Sequence, residues 1–171
     1  VDFYGVKSET VPYYIFPFAF GNLLGPLVLG RLFDTIGRRT MIAGTYIASG
    51  VLLGVSGWLF QAGLLTVMGQ TALWCAIFFI ASAAASSAYL TVSEIFPVEM
   101  RAQAIALFFA VAQLFGGVVA PALFGVLIAS HSRFALGCGY QGGGLVMVVG
   151  GLVAWRLGVD AERRSLETIA P

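Results

Sequence analysis

One short stretch concentrates the charges of an otherwise apolar chain. Residues 30–39 read Gly-Arg-Leu-Phe-Asp-Thr-Ile-Gly-Arg-Arg and contain four acidic or basic residues. The flanking segments, 11–29 and 40–93, contain no Asp, Glu, Lys or Arg. A cationic hairpin between two apolar spans is typical of a tight cytoplasmic loop of a membrane protein. The chemistry that this loop offers is ion pairing at a membrane surface.

The spacing within the loop favours a specific arrangement. Asp34 follows Gly30 by four residues, so both lie on one face if the helix continues. Gly37 can adopt a positive φ and turn the chain sharply, which leaves Arg38 and Arg39 at the surface. Positive-inside anchoring accounts for Arg39 alone. It does not account for Asp34, because acidic residues contribute little to orientation.

A second polar cluster follows the long apolar segment. Residues 93–101 read Ser-Glu-Ile-Phe-Pro-Val-Glu-Met-Arg. Pro97 disfavours helix at the residue before it, so the preceding helix is expected to end there. Glu94 would then lie at the mouth of that helix, and Arg101 would open the next one near Ala102.

The segments that position these clusters are membrane spans. The chain is 59% hydrophobic and only 10% charged, whereas soluble domains average about 25% charged residues. A span requires about 20 apolar residues, and the segment 40–93 must therefore turn back once, near residues 61–63. The sequence predicts an all-α membrane protein with five transmembrane helices, at about 11–33, 40–60, 64–93, 102–130 and 135–156.

The distribution of basic residues predicts the orientation. If the 30–39 loop is cytoplasmic, seven basic residues lie inside and two, Lys7 and Arg133, lie outside. This asymmetry follows the positive-inside rule. It predicts a multi-pass protein of the cell (inner) membrane, with residues 1–10 as an outer loop and 157–171 as a cytoplasmic tail.

Other functional classes find little support in the residues. The single histidine, His131, has no cysteine or histidine at a metal-ligand spacing. Cys75 falls in a span and Cys138 in an expected outer loop, so no disulfide framework is expected. No basic run is present to follow a phosphate backbone. We therefore expect no enzyme activity, no catalytic residues, no metal, no cofactor and no nucleic-acid partner.

The two clusters resemble motifs of one family. Gly-x-x-x-Asp-x-x-Gly-Arg-Arg resembles the signature loop of the major facilitator superfamily. The Ser-Glu-Ile-Phe-Pro run and the Glu-x6-Arg spacing resemble the matching loop of its sugar-porter (metabolite:proton symporter) branch. The resemblance implies the last five helices of a 12-helix fold, with the N-terminal half as the missing partner. It also implies that Arg38 pairs with Glu94, and that Asp34 faces the start of the helix near Ala102.

The resemblance also suggests where a substrate would bind. Asn22 and Tyr89 match the positions of an amide and an aromatic residue that contact sugar in hexose porters. Gln113, a polar residue in mid-span, is a third candidate. Two departures weaken the match to a hexose porter, because the family's acidic and asparagine ligands would fall at Ala81 and Gly116.

The resemblance therefore implies a secondary transporter that moves a small polar metabolite, a sugar or an organic acid, across the lipid bilayer by alternating access. No carboxylate lies in mid-membrane, so proton coupling would require a titrating residue outside these five spans. The alternative is a transporter-like membrane sensor or scaffold that does not transport.

Overall fold

A computed structural model describes residues 2–159, and this part of the chain is helical without a β-strand. Five of its helical segments are long and apolar enough to cross a membrane. A 3-10 turn, Ser8–Thr10, leads into the first helix. The helices are α1 (Val11–Thr35), α2 (Arg38–Gln61), α3 (Val67–Ile95), α4 (Val98–Gln113), α5 (Ala120–Ala129) and α6 (Arg133–Leu157). The π-helical segment Leu114–Val119 joins α4 and α5 into a single span. Most of the expected tail, 160–171, lies outside the described residues.

The turns between helices follow from local chemistry. Gly37, with φ of 114°, separates α1 from α2, and Gly63, with φ of 70°, lies in the turn after α2. Both angles disfavour a residue with a Cβ atom. The side chain of Thr66 then caps α3 by accepting a hydrogen bond from the Gly69 N–H at 3.2 Å.

Helix α4 begins earlier than the sequence suggested. The chain leaves α3 after Ile95, and α4 starts at Val98 rather than near Ala102. Pro97 lacks an N–H and fits immediately before the first helical residue, where that donor would be unpaired. The start predicted near Ala102 is therefore too late, and Arg101 lies in the first turn of the helix. The third and fifth spans also differ, beginning at Val67 and Arg133.

Glycines bring α2 and α6 into close antiparallel contact. A Cβ atom added at Gly50 would lie 2.5 Å from the Gly144 carbonyl oxygen, and one added at Gly57 would lie 2.9 Å from that of Gly137. Seven residues before Gly50, the carbonyl oxygen of Ala43 lies 2.9 Å from a Cβ atom added at Gly151. The repeat of seven on both helices keeps one small-residue face in the contact.

Helices α1 and α3 run parallel to each other and also pack closely at glycines. A Cβ atom at Gly21 would lie 2.7 Å from the Cys75 carbonyl oxygen, and one at Gly25 would overlap the carbonyl of Phe79. Helix α1 continues through two internal prolines, Pro17 and Pro26. The close approach of the two backbones depends on glycine at positions 21 and 25, where a Cβ atom would meet a carbonyl group of α3.

The α4–α5 span has a different environment, because none of its residues is buried. Its π-helical segment lies just before Pro121, whose ring would clash with a carbonyl one turn earlier in a regular helix. Large apolar side chains such as Leu107 and Val126 are about 70% exposed. This surface requires lipid or another protein segment to cover it.

Candidate functional site

The charged loop of the sequence forms a compact ion-pair cluster at one end of the bundle. Asp34 lies in the last turn of α1, and the positive φ of Gly37 places Arg38 at the start of α2. Glu94 lies in the last turn of α3. We call this end of the bundle, where α1 and α3 end and α2 begins, the motif end.

Arg38 is the centre of this cluster. Its Nη1 donates to Glu94 Oε2, and its Nη2 donates to Asp34 Oδ1 at 3.4 Å. The Arg38 side chain is 11% exposed, whereas those of Asp34 and Glu94 are 61% and 32% exposed. One guanidinium group thus connects three helices. The pair with Glu94 is the better shielded of the two, and a pair as exposed as that with Asp34 contributes about 0–1 kcal/mol.

Arg39 makes a contact that the sequence analysis missed. Its Nε donates to the backbone carbonyl oxygen of Trp155 at 2.6 Å. Trp155 lies in the last turn of α6, where helix carbonyls lack partners within the helix. Arg39 therefore fastens the start of α2 to the end of α6 and does more than anchor the loop at a surface. No sequence motif reveals such a contact, because its acceptor is a backbone group 116 residues away.

Another motif residue, Arg101, does not join the cluster within residues 2–159. Arg101 makes no ion pair there, and its Nε is buried without a hydrogen-bond partner. Asp34 makes no hydrogen bond to the start of α4 in the described part; its recorded partner is Arg38. A side chain added at Gly30 would meet nothing within 4 Å. Close packing therefore does not explain a glycine at that position.

The three candidate substrate residues lie on different helices, α1, α3 and α4. Asn22 on α1 and Gln113 at the end of α4 are exposed, and neither side chain hydrogen-bonds another residue in the described part. Tyr89 on α3 is half-buried, and its ring packs edge-on against Phe108 with centroids 5.4 Å apart. It also lies beside the ring of Phe109.

An apolar cavity of about 730 Å³ lies among α1, α2, α3, α5, α6 and the segment before α1. Trp74, Phe78 and Tyr140 line it, together with the amide of Gln70. Gln70 is buried and accepts a hydrogen bond from the Tyr4 hydroxyl at 3.4 Å while donating to Ser56 Oγ at 3.0 Å. Because its amide is engaged inside the protein, a structural role explains Gln70.

The sequence also matches a family of known proteins. The family model described as "Sugar (and other) transporter" matches residues 4–171. The chain belongs to this family. Among curated proteins and among solved structures, no match reaches significance.

Membership in the sugar transporter family agrees with the architecture. The resemblance to the sugar-porter branch of the major facilitator superfamily is confirmed, as is the prediction of an all-α protein with five helices suited to a membrane. The pairing of Arg38 with Glu94, which the resemblance implied, is present in the structure. The family indicates a multi-pass membrane protein that transports a small molecule.

Proposed function

We propose that this chain is the C-terminal part of a secondary transporter that moves a small polar metabolite, a sugar or an organic acid, by alternating access. The observation that carries the proposal is the ion-pair cluster in which Arg38 connects Asp34 and Glu94. It links the ends of three helices through contacts at a partly wet surface, and such contacts can break and re-form at modest cost. This is the property that a gate requires.

The proposed partner is the N-terminal half of the same transporter. The α4–α5 span supports this proposal, because an apolar helix without a buried residue presents a large surface for packing. Asn22 and Gln113 are proposed to contact substrate from this bundle, and Tyr89 to shape the site with Phe108. Both amides are exposed and have no hydrogen-bond partner within residues 2–159, so they can bind hydroxyl or carboxylate groups.

The motif end is proposed to be cytoplasmic, with the C-terminus on the same side. The excess of basic residues at this end supports the orientation. Single cysteines at Thr35, beside the cluster, and at Ser132, before α6, provide the test. We expect an impermeant thiol reagent to label Ser132→Cys in intact cells and Thr35→Cys only after the membrane is opened. Labelling of both from the same side would contradict the orientation.

The proposed function is tested by uptake into proteoliposomes that contain the complete transporter. We expect saturable uptake and counterflow of one class of small polar metabolite. We expect Asn22→Leu to raise KM for that metabolite more than it lowers kcat, because it removes a contact made in the bound state. Metabolite binding without uptake or counterflow would instead identify a sensor.

A further inference from the structure

A short segment before α1, residues 2–10, lies against the end of the bundle opposite the motif end. Its Phe3 ring packs edge-on against Phe60 of α2, with centroids 5.4 Å apart, and Tyr4 packs against the same ring at 6.0 Å. Phe60 is only 2% exposed. The Tyr4 hydroxyl donates to Gln70 of α3. The segment therefore contacts two helices through specific side chains.

Arg133 joins this segment to α6. Its Nη2 donates to the backbone carbonyl oxygen of Phe3 at 2.8 Å. Its guanidinium carbon lies 5.3 Å from the centroid of the Phe60 ring and 5.6 Å from that of the Tyr4 ring, within the range of cation–π attraction. One side chain thus binds the backbone of the segment and both aromatic rings around it.

The position of Arg133 in its own helix does not explain why an arginine occurs there. It is the first residue of α6, where a positive charge opposes the helix dipole. Within residues 2–159 it forms no ion pair with a carboxylate. The favourable interactions of this guanidinium group are therefore those with Phe3, Tyr4 and Phe60.

The same segment forms a wall of the apolar cavity, to which it contributes Tyr4 and Val6. Burial raises the pKa of the Tyr4 hydroxyl above its usual value, while the charge of Arg133 acts in the opposite direction. The hydroxyl is consequently neutral at physiological pH and can donate to Gln70. Displacing the segment would remove both residues from the wall.

We propose that the segment 2–10 is a strap that closes one side of the apolar cavity, and that Arg133 is the positioning residue that fastens it. Release of the Arg133 contacts frees the strap and exposes the cavity to water and small solutes. The strap uses none of the residues of the ion-pair cluster at the motif end. If the strap proposal proved wrong, the proposed gate at the motif end would not be affected.

The first test measures the position of the strap. Spin labels are placed at Lys7→Cys on the strap and at Leu64→Cys on the turn after α2, both exposed positions, with Cys75 and Cys138 replaced by alanine. In the otherwise unchanged protein we expect one narrow distance distribution. Arg133→Gln should broaden it and shift it to longer distances. Arg133→Lys, which keeps the charge without the planar group, should give an intermediate result. Arg156→Gln, an exposed arginine at the other end of α6, is the matched control and should change nothing.

The second test measures access to the cavity with a small maleimide and a cysteine at Thr71, a cavity-lining residue of α3. We expect Arg133→Gln to raise the labelling rate roughly tenfold, because a charge-assisted hydrogen bond and the cation–π contacts are lost together. If Arg133→Gln does not fold, Tyr4→Leu supplies the second variant, with a smaller rise expected. An unchanged distance distribution and labelling rate in a folded Arg133→Gln protein would overturn the proposal.

Discussion

The side chain of Arg38 owes its role to its shape as well as its charge. Its planar guanidinium group presents separate nitrogens to Asp34 and Glu94, and a single lysine ammonium group cannot reproduce this fork. The two carboxylates lie on different helices, so the residue connects α1 to α3 through the start of α2. A change at any of the three residues should therefore affect one shared interaction.

We predict that Arg38→Ala and Glu94→Ala each slow transport by the complete protein severalfold. The double variant should be little worse than either single one, because each removes the same interaction. Uptake in proteoliposomes measures the effect, and Arg31→Ala is the control, because Arg31 is an exposed residue near the end of α1. Fully multiplicative losses in the double variant would show that the two residues act independently.

Arg39 offers a separate prediction, for stability. Arg39→Ala removes the donor to the Trp155 carbonyl oxygen and should lower the free energy of unfolding by about 1 kcal/mol. Thermal unfolding in detergent provides the measurement. Arg39→Lys should recover part of the loss, since a lysine can still donate to a carbonyl oxygen. A stability equal to that of the unchanged protein would mean that the surface location alone explains Arg39.

At the scale of helices, the glycine contacts determine how closely α2 and α6 approach. Gly50→Ala should destabilise the protein by about 1–3 kcal/mol, because the new Cβ atom would lie 2.5 Å from the Gly144 carbonyl oxygen. Gly44→Ala on the same helix is the matched control, as nothing lies within 4 Å of its added Cβ atom. Its effect should be neutral or stabilising, by up to about 1 kcal/mol of helix propensity. Equal effects of both variants on thermal unfolding would contradict the packing described here.

The sequence predicted those elements whose signals are local. Long charge-free segments identified five spans, and the glycine at position 37 identified the turn with a positive φ. The start of α4 was predicted too late, near Ala102, because the long charge-free run begins only there. Val98 and Glu99 continue a helix readily once Pro97 has been passed.

The contacts of the candidate site were predictable only where a motif links both partners. The pairing of Arg38 with Glu94 followed from two matching loops. The bond from Arg39 to the Trp155 carbonyl and the contacts of Arg133 with Phe3 and Tyr4 join residues more than 100 positions apart without such a motif. Their geometry depends on the packing of α6 against α2, which the charge pattern does not encode.

At the scale of the molecule, arginine contacts hold both ends of the bundle. Arg38 and Arg39 connect four helices at the motif end, and Arg133 connects α6 to the strap and to α2 at the opposite end. Between these ends, glycines pair α1 with α3 and α2 with α6. The α4–α5 span stands apart from this arrangement, and its exposed apolar surface is the one on which we propose that the N-terminal half packs.

The proposed gate predicts a shift in conformational populations. A cluster of this kind contributes at most a few kcal/mol, which is enough to bias a two-state equilibrium strongly without unfolding the protein. Loss of Arg38 or Glu94 should favour the form that is open at the motif end. Substrate affinity should survive, because the cluster lies at helix ends, away from the proposed contacts in mid-span.

The decisive measurement is the thiol-labelling rate of a cysteine at Gln103, an exposed position in the second turn of α4, in the complete transporter together with its substrate affinity. In Arg38→Ala and Glu94→Ala we predict faster labelling at an unchanged affinity. Unchanged labelling in both variants, with affinity lost instead, would place the ion pair in a binding site and contradict its role as a gate.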